Sequence, residues 1–287
     1  MDADPTRGIA LAIDDLPDYR RRCAFCARRP RDGRAEAADP PGTPAVRCPI
    51  RVDRAAGRAD DHRMAKRPLV VAFDVIETMF PLEPVRQRLI DAGQPGHLLE
   101  LWFARLLRDG FALVASNSYR PFGEIAASAL HSVTAETLGD TAADRILAGF
   151  TELDPHPDVP PALRHARQAG LRLVTLTNGS APNTTRLLRR AGIEDDIEQV
   201  LSVDDVRRWK PAPEIYRHAA DRTRVPADRV ALVAAHPWDT HGAHQAGLAT
   251  GWVARSADHY PGIFAAPHVT GHDLLTVVRG LLALPAE

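Results

Sequence analysis

The clearest hydrophobic pattern in the chain is the apolar run at residues 69–73, which ends abruptly at the carboxylate of Asp74. A run this short and rich in β-branched residues indicates a strand that is buried on both faces, as in a parallel sheet. Similar runs predict further strands at 171–177, 199–202, 230–234 and 250–254. We therefore predict five strands.

The pattern changes to a helical period between residues 82 and 150, and few strand-forming runs occur there. Two apolar stripes carry this prediction: Leu98, Leu101, Trp102, Leu106 and Leu107, then Ile125, Ala129, Val133 and Leu138. After a proline-rich hinge at 153–158, strands and helices alternate. The pattern predicts an α/β fold with a parallel sheet and an all-helical insertion after the first strand.

The first 66 residues follow neither period and are rich in Arg, Asp, Ala and Pro, so we predict a disordered N-terminal extension. Cys23 and Cys26 have the spacing of a metal knuckle or a redox pair. A second pair is missing, and neither Cys48 nor His62 has a recognised spacing, so a zinc site is the less favoured alternative.

Composition narrows the function only by exclusion. The chain is 45% hydrophobic and 25% charged, with a formal charge of −1, which gives no argument for nucleic acid or an anionic membrane surface. No apolar run has the length of a membrane span, and the N-terminus has no signal-peptide pattern. We expect a cytoplasmic protein with a small-molecule substrate, and a homodimer is the candidate assembly.

Polar side chains follow four of the predicted strands. They are Asp74, then Thr177 and Asn178, then Lys210, and finally His236, Trp238 and Asp239. Right-handed crossovers place the carboxyl ends of parallel strands at one edge, where ligands bind. Asp74 is a candidate nucleophile there, although a helix N-cap is an alternative role for it. No glycine-rich dinucleotide motif or P-loop follows any strand, so no cofactor is expected.

Lysine usage singles out one of these residues. The chain contains 36 lysines and arginines, of which only Lys66 and Lys210 are lysines. A lysine inside a chain that otherwise uses arginine indicates that Lys210 supplies a compact ammonium, which a planar guanidinium cannot replace.

Four motifs, in order and at strand ends, resemble the haloacid dehalogenase superfamily, and in particular the type II 2-haloacid dehalogenases. They are Phe73-Asp74-x-x-Glu77-Thr78, Leu176-Thr177-Asn178-Gly179-Ser180, Lys210-Pro211 with Tyr216, and Trp238-Asp239-x-x-Gly242-Ala243. The resemblance covers roughly residues 68–283. It implies a Rossmann-like core at 67–81 and 154–287 with an α-helical cap domain at 82–153.

The resemblance also implies roles. Asp74 would be the nucleophile, Lys210 would keep its carboxylate ionised and oriented, and Asp239 would position or activate the hydrolytic water. Other residues would contact or support the substrate: Thr78, Thr177, Asn178, Tyr216 and Trp238.

The sequence departs from the family pattern in three places. The family has an arginine directly after Leu-Trp, but here Leu101-Trp102 is followed by Phe103. Arg105 is the candidate replacement, although it lies two residues further along and therefore points about 200° around a helix from Phe103. The family's Ser-x-Asn before Trp-Asp is Ala234-Ala235-His236, and histidine donates hydrogen bonds but also titrates near neutral pH. The frequent Tyr-Gly after the nucleophile is Ile76-Glu77.

The same fold also hosts magnesium-dependent phosphatases, but two of their groups are replaced here. Ile76 occupies the position of the general acid/base, and Ala235 occupies that of a metal-binding acid. We therefore expect metal-independent hydrolysis of a short 2-haloalkanoic acid to the 2-hydroxy acid through an aspartyl ester. The alternatives are a phosphatase or other hydrolase of the superfamily, and a non-catalytic member that binds a small acid.

Overall fold

A computed structural model describes residues 65–135, 137–255 and 259–286. The predicted disordered extension, with Cys23, Cys26, Cys48 and His62, therefore lies outside the described residues except at its last two positions. At that boundary, Lys66 pairs with Asp228 at 2.9 Å. The described residues fall within one compact unit, Ala59–Glu287.

A parallel sheet organises the fold, and the order of its six strands in the described residues is β3-β2-β1-β4-β5-β6. The strands are β1 (Val70–Phe73), β2 (Arg172–Thr177), β3 (Gln199–Ser202), β4 (Val230–Ala234), β5 (Ala249–Val253) and β6 (Val269–Gly271). The α/β prediction is confirmed. Since β1 lies between β2 and β4, Asp74 leaves the sheet at its centre.

The predicted count of five strands is wrong by one. β6 has only three residues, none of them buried, and it pairs with β5 at the edge of the sheet. An exposed edge strand needs no apolar run, so the hydrophobic pattern did not reveal it.

Helices cover both faces of the sheet and fill the insertion. Within the described residues the helices are α1 (Glu83–Asp91), α2 (Leu98–Ala115), α3 (Phe122–Val133), α4 (Asp140–Ala148), α5 (Val159–Gln168), α6 (Ala181–Arg190), α7 (Pro213–Thr223), α8 (Pro237–Gln245) and α9 (Leu274–Leu282). The segment between β1 and β2 is helical from α1 to α4, as predicted. The split into a core and a cap domain stays a prediction.

Aromatic contacts hold the insertion together and join it to the loop after β3. Trp102 on α2 and Phe122 on α3 each pack edge-on against Phe150, with ring centroids 5.6 and 5.3 Å apart. Phe122 also stacks on Trp209 at 5.7 Å, and the Trp209 indole N–H donates to the Arg120 carbonyl. No helix in the described ranges is long and apolar enough to cross a bilayer.

Candidate active site

Asp74 is held in place through its backbone and both carboxylate oxygens. Its N–H donates to the Val233 carbonyl at 2.9 Å, which extends the pairing of β1 with β4 to this residue. The Thr78 hydroxyl donates to Asp74 Oδ2 at 2.7 Å and accepts from the Ala235 N–H at 2.9 Å. The N-cap role is not observed, because the next helix, α1, is capped at Leu82.

Lys210 lies between two carboxylates. Its Nζ donates to Asp74 Oδ1 at 2.9 Å and to Asp239 Oδ2 at 2.7 Å, and its side chain is fully buried. The three residues follow β1, β3 and β4, so the sheet topology brings them together as the sequence predicted. A buried ammonium paired with two carboxylates is the strongest electrostatic feature of the site.

Asp239 and Tyr216 form the far side of this cluster. The Tyr216 hydroxyl donates to Asp239 Oδ1 at 2.6 Å, so both oxygens of Asp239 have a donor. This contact requires close approach of α7 and α8. A Cβ at Gly242 would lie 2.7 Å from Tyr216 Oη, so glycine is needed at that position.

Burial and charge set the protonation states. Burial alone lowers the pKa of Lys210, but the Asp239 and Asp74 carboxylates outweigh it and leave that pKa raised, so Lys210 is charged. Burial raises the pKa of Asp239 against the opposing effect of Lys210, which makes it a stronger base than an ordinary aspartate. Burial, reinforced by Asp239, raises the pKa of Tyr216, which keeps the phenol as a donor.

Thr177 and Asn178 end β2 beside this cluster, and both make contacts within the protein. The Asn178 side-chain oxygen accepts from the Lys210 backbone N–H at 3.0 Å, so it positions the lysine. Thr177 is buried, and its hydroxyl oxygen accepts from the Gly179 N–H at 2.9 Å. Both residues lie where the sequence placed them, while their predicted contact with substrate stays a prediction.

His236 lies beside Asp74 within a group of aromatic rings. Its Nε2 is 3.9 Å from Asp74 Oδ2 and 3.3 Å from the Ile76 carbonyl oxygen. The ring stacks on Trp238 at 5.1 Å and approaches Phe103 of α2 at 6.0 Å, while Phe111 packs edge-on against Trp238. The insertion therefore presents aromatic carbon to this side of the site.

Arg105 is not brought to the cluster. Its guanidinium donates to Ser132 on α3, at 3.1 Å to the hydroxyl and 3.5 Å to the carbonyl oxygen. Phe103 on the same helix faces His236, and two residues along a helix turn the side chain by about 200°. The described contacts thus give Arg105 a partner on α3, and its predicted contact with substrate stays a prediction.

The third sequence departure, Glu77, has a local explanation. Its φ is +65°, a left-handed conformation that glycine adopts easily and that costs other residues roughly 1–2 kcal/mol. The Glu77 carboxylate accepts from the Leu82 N–H at 2.5 Å, which fixes the start of α1. A glycine at this position would remove the strain but also this contact.

The sequence did not identify three neighbours of the site. Phe103 and Phe111 line it from α2, and Trp209 precedes Lys210 and is buried against Gly110, where a Cβ would lie 2.5 Å from the indole ring. The departure at Phe103 was visible in the sequence, but its orientation was not. A glycine in a helical apolar stripe, as at Gly110, was the available signal for close packing.

The chain is similar to proteins of a known hydrolase family. A family model for hydrolases of the haloacid dehalogenase-like type matches residues 52–247. The chain belongs to the haloacid dehalogenase-like hydrolases. The residues that resemble the type II dehalogenases therefore lie in a chain of the expected superfamily.

Several haloacid dehalogenase-like relatives are named for dehalogenation. Haloacetate dehalogenase H-2 of Moraxella sp. (strain B) is 29% identical over 199 residues, which is 66% of this chain and 87% of the relative. The (S)-2-haloacid dehalogenase of Pseudomonas sp. (strain YL) is 29% identical over 194 residues, covering 66% and 83%. A crystal structure of an L-2-haloacid dehalogenase is 28% identical, with a TM-score of 0.72 and coverage of 76% and 100%.

Proposed function

We propose that the protein hydrolyses the carbon–halogen bond of a 2-haloalkanoic acid and releases the 2-hydroxy acid. The observation that carries the proposal is the Lys210 ammonium held between Asp74 and Asp239 at 2.9 and 2.7 Å. The dehalogenase names of the relatives support carbon–halide bonds as the target of this hydrolase.

In the first step, an oxygen of Asp74 attacks carbon 2 of the substrate and the halide leaves with the electron pair of the broken bond. Hydrogen bonds from Lys210 and Thr78 hold the carboxylate in one orientation for in-line attack. A halide is a weak base, so its departure needs no general acid. The product of this step is an ester in which an oxygen of Asp74 is bonded to carbon 2 of the alkanoic acid.

In the second step, water attacks the carbonyl carbon of the Asp74 ester and the hydroxy acid leaves. Asp239 takes the proton of that water, since burial makes its carboxylate more basic. His236, 3.9 Å from Asp74, is the alternative base. The bond between the carbonyl carbon and the ester oxygen then breaks, and the leaving oxygen takes one of the two water protons while the other is released. The Asp74 carboxylate is restored with one oxygen from water.

The other predicted site residues would bind the substrate. Thr177 and Asn178 would contact its carboxylate or the leaving halide, and His236 would donate a hydrogen bond in place of the family's amide. Trp238 and Tyr216 would support the pocket through His236 and Asp239 respectively. A homodimer and a cytoplasmic location stay predictions.

The residues do not fit the magnesium site of the related phosphatases. Mg²⁺ prefers an octahedron of oxygen ligands, but Ile76 and Ala235 replace two of the groups that such enzymes use. The Lys210 ammonium already binds the two remaining carboxylates. We therefore propose a reaction that involves no metal, and halide release from chloroacetate should persist in excess EDTA.

A single-turnover experiment in ¹⁸O-labelled water tests the mechanism. With 2-chloropropionate as substrate, the label should enter Asp74 and not the first-formed lactate, and Asp74→Asn should abolish chloride release because an amide is a far weaker nucleophile. Label found directly in lactate would mean that water attacks carbon 2. Activity that appears only on phosphate esters with Mg²⁺ would instead support the phosphatase alternative.

A further inference from the structure

A cavity of about 310 Å³ lies between α3, α4 and the start of α6, next to the proposed site. Ile76, two residues after Asp74, and Thr177, at the end of the neighbouring strand, both line it. Phe122 forms another wall and stacks on Trp209, the residue before Lys210. One lining residue, Ile76, therefore belongs to the segment that carries the nucleophile, and another, Phe122, contacts the segment that carries the lysine.

The cavity is larger than the smallest substrates of this reaction require. About 10–15 Å³ of free space of this kind holds one water molecule, so the cavity has room for a group of roughly ten or more heavy atoms. Chloroacetate has about half that number of heavy atoms. Asp74 is not among the described residues that line the cavity, so chloroacetate bound at Asp74 would leave the cavity free for additional carbon atoms.

The cavity walls are mostly apolar, which decides what can occupy the extra space. Phe122, Leu147, Phe150 and Leu187 supply carbon surface, and polar groups come from α6 and its approach. None of the described residues that line it is Lys, Arg or His, and Asp204 adds a carboxylate. A second anionic group would have no cationic partner among these lining residues, whereas a hydrocarbon chain would pack against apolar side chains.

We propose that this cavity receives the carbon chain of the substrate, so that the preferred substrate is a 2-haloalkanoic acid with several carbons beyond carbon 2. This inference rests on the proposed dehalogenase function and deepens it by naming the substrate class. The carboxylate and halogen remain at Asp74, while the chain extends past Ile76 toward Phe122 and Phe150.

A chain-length series tests the proposal with the full-length protein. The substrates are chloroacetate, 2-chloropropionate, 2-chlorobutyrate and 2-chlorohexanoate, and the readout is kcat/KM for chloride release. Burying one methylene is worth roughly 0.8 kcal/mol, or about a fourfold change, so kcat/KM should rise severalfold per added carbon. A series that falls with chain length would overturn the inference.

Two substitutions on α3 locate the chain. Ala126 lines the cavity, so Ala126→Leu should reduce the ratio of kcat/KM for 2-chlorohexanoate over chloroacetate by about tenfold or more, since it would fill space for two to three methylenes. Ala127→Leu makes the same change on the same helix at a residue outside the cavity lining, and it should leave this ratio unaltered.

Leu147→Ala provides a second test if Ala126→Leu does not fold, because it enlarges the cavity instead of filling it. It should move the best substrate to a longer chain, such as 2-chlorooctanoate. If the ratio of kcat/KM for 2-chlorohexanoate over chloroacetate were the same in all variants, the proposed position of the chain would be overturned. The absence of chloride release from every acid would contradict the proposed function itself, which separates the two failures.

Discussion

The edge of the sheet at which the strands have their carboxyl ends and the face of α2 that carries Phe103 and Phe111 contribute to the same site in different ways. At the sheet edge, Asp74, Lys210 and Asp239 are joined by hydrogen bonds of 2.7–2.9 Å between buried charges. On the α2 side, Phe103 and Phe111 meet His236 and Trp238 through ring contacts of 5–6 Å. One region supplies reacting groups, and the other supplies carbon surface.

The two regions also differ in how firmly the fold fixes them. Parallel register holds every residue that follows a strand, so the position of Asp74 depends on backbone pairing with β2 and β4. Which side chains of α2 point toward the site depends on how side chains pack between helices. We infer that the sheet edge determines whether the reaction occurs and that the insertion determines which substrate fits.

Among the changes that test this comparison, the largest effects are expected at Lys210, and the first replacement is arginine. The guanidinium keeps the charge but is planar and larger than the ammonium, so it cannot lie between Asp74 and Asp239 at the observed distances. We expect kcat to fall by about 100-fold or more, as for other displaced catalytic groups. Chloride release measures kcat, and circular dichroism confirms that the variant is folded.

Lys210→Met removes the charge, whereas Lys210→Arg keeps the charge and changes the shape of the group. It leaves two buried carboxylates without a cation, which we expect to destabilise the fold by about 3–5 kcal/mol in addition to abolishing turnover. Near-normal kinetics for Lys210→Arg would exclude the proposed requirement for a compact ammonium.

These strand-end residues are the part of the site that could be predicted from sequence. Asp74, Lys210 and Asp239 each follow a short apolar run, and parallel topology alone brings such positions together. Phe103 shows where this reasoning ends, because its orientation toward His236 could not be predicted from the sequence. A helical period indicates which face of α2 is buried, but both the hydrophobic core and an aromatic pocket wall satisfy the same apolar pattern.

Gly110 connects the two regions, so a change there should have the next largest effect. A Cβ would lie 2.5 Å from Trp209 Cε3, and Trp209 precedes Lys210. We expect Gly110→Ala to cost about 1–3 kcal/mol of stability through overpacking and to lower kcat by displacing Lys210. Thermal unfolding and chloride release measure the two effects.

Gly262→Ala is the control, because Gly262 is exposed and a Cβ at that position meets nothing within 4 Å. It should leave both stability and kcat close to those of the parent protein. If Gly110→Ala lowered stability alone, the contact between α2 and Trp209 would have no influence on the lysine.

His156, in the hinge between the insertion and α5, should make stability depend on pH. Burial, with Arg255 nearby, lowers its pKa below the ordinary 6.5, and its buried Nε2 has no hydrogen-bond partner among the described residues. As pH falls through 6.5 the unfolded chain binds a proton before the folded one, so stability decreases. Above 6.5 the contribution is constant.

The comparison uses thermal unfolding at about pH 7.5 and about pH 5.5, on either side of the ordinary histidine pKa. His156→Leu should reduce the loss of Tm over this interval by about 1–3 °C. The exposed His259 serves as a control, and His259→Gln should leave the loss of Tm between the two pH values unaltered. His268, whose pKa burial also lowers, contributes with the same sign and remains in both variants.

The smallest effect is expected at Arg105, and it tests the contrast between the two regions most directly. Its guanidinium contacts Ser132 and not the carboxylate cluster, and an exposed hydrogen bond of this kind contributes about 1 kcal/mol or less. Arg105→Ala should therefore leave kcat/KM for 2-chloropropionate within about twofold, because the residue touches no reacting group. Phe103→Ala, on the opposite face of α2, removes the ring beside His236 and should change kcat/KM severalfold. A tenfold rise in KM for Arg105→Ala would show that the arginine does reach the substrate. The orientation of α2 in solution would then differ from the one described, and the insertion would supply charge as well as carbon surface.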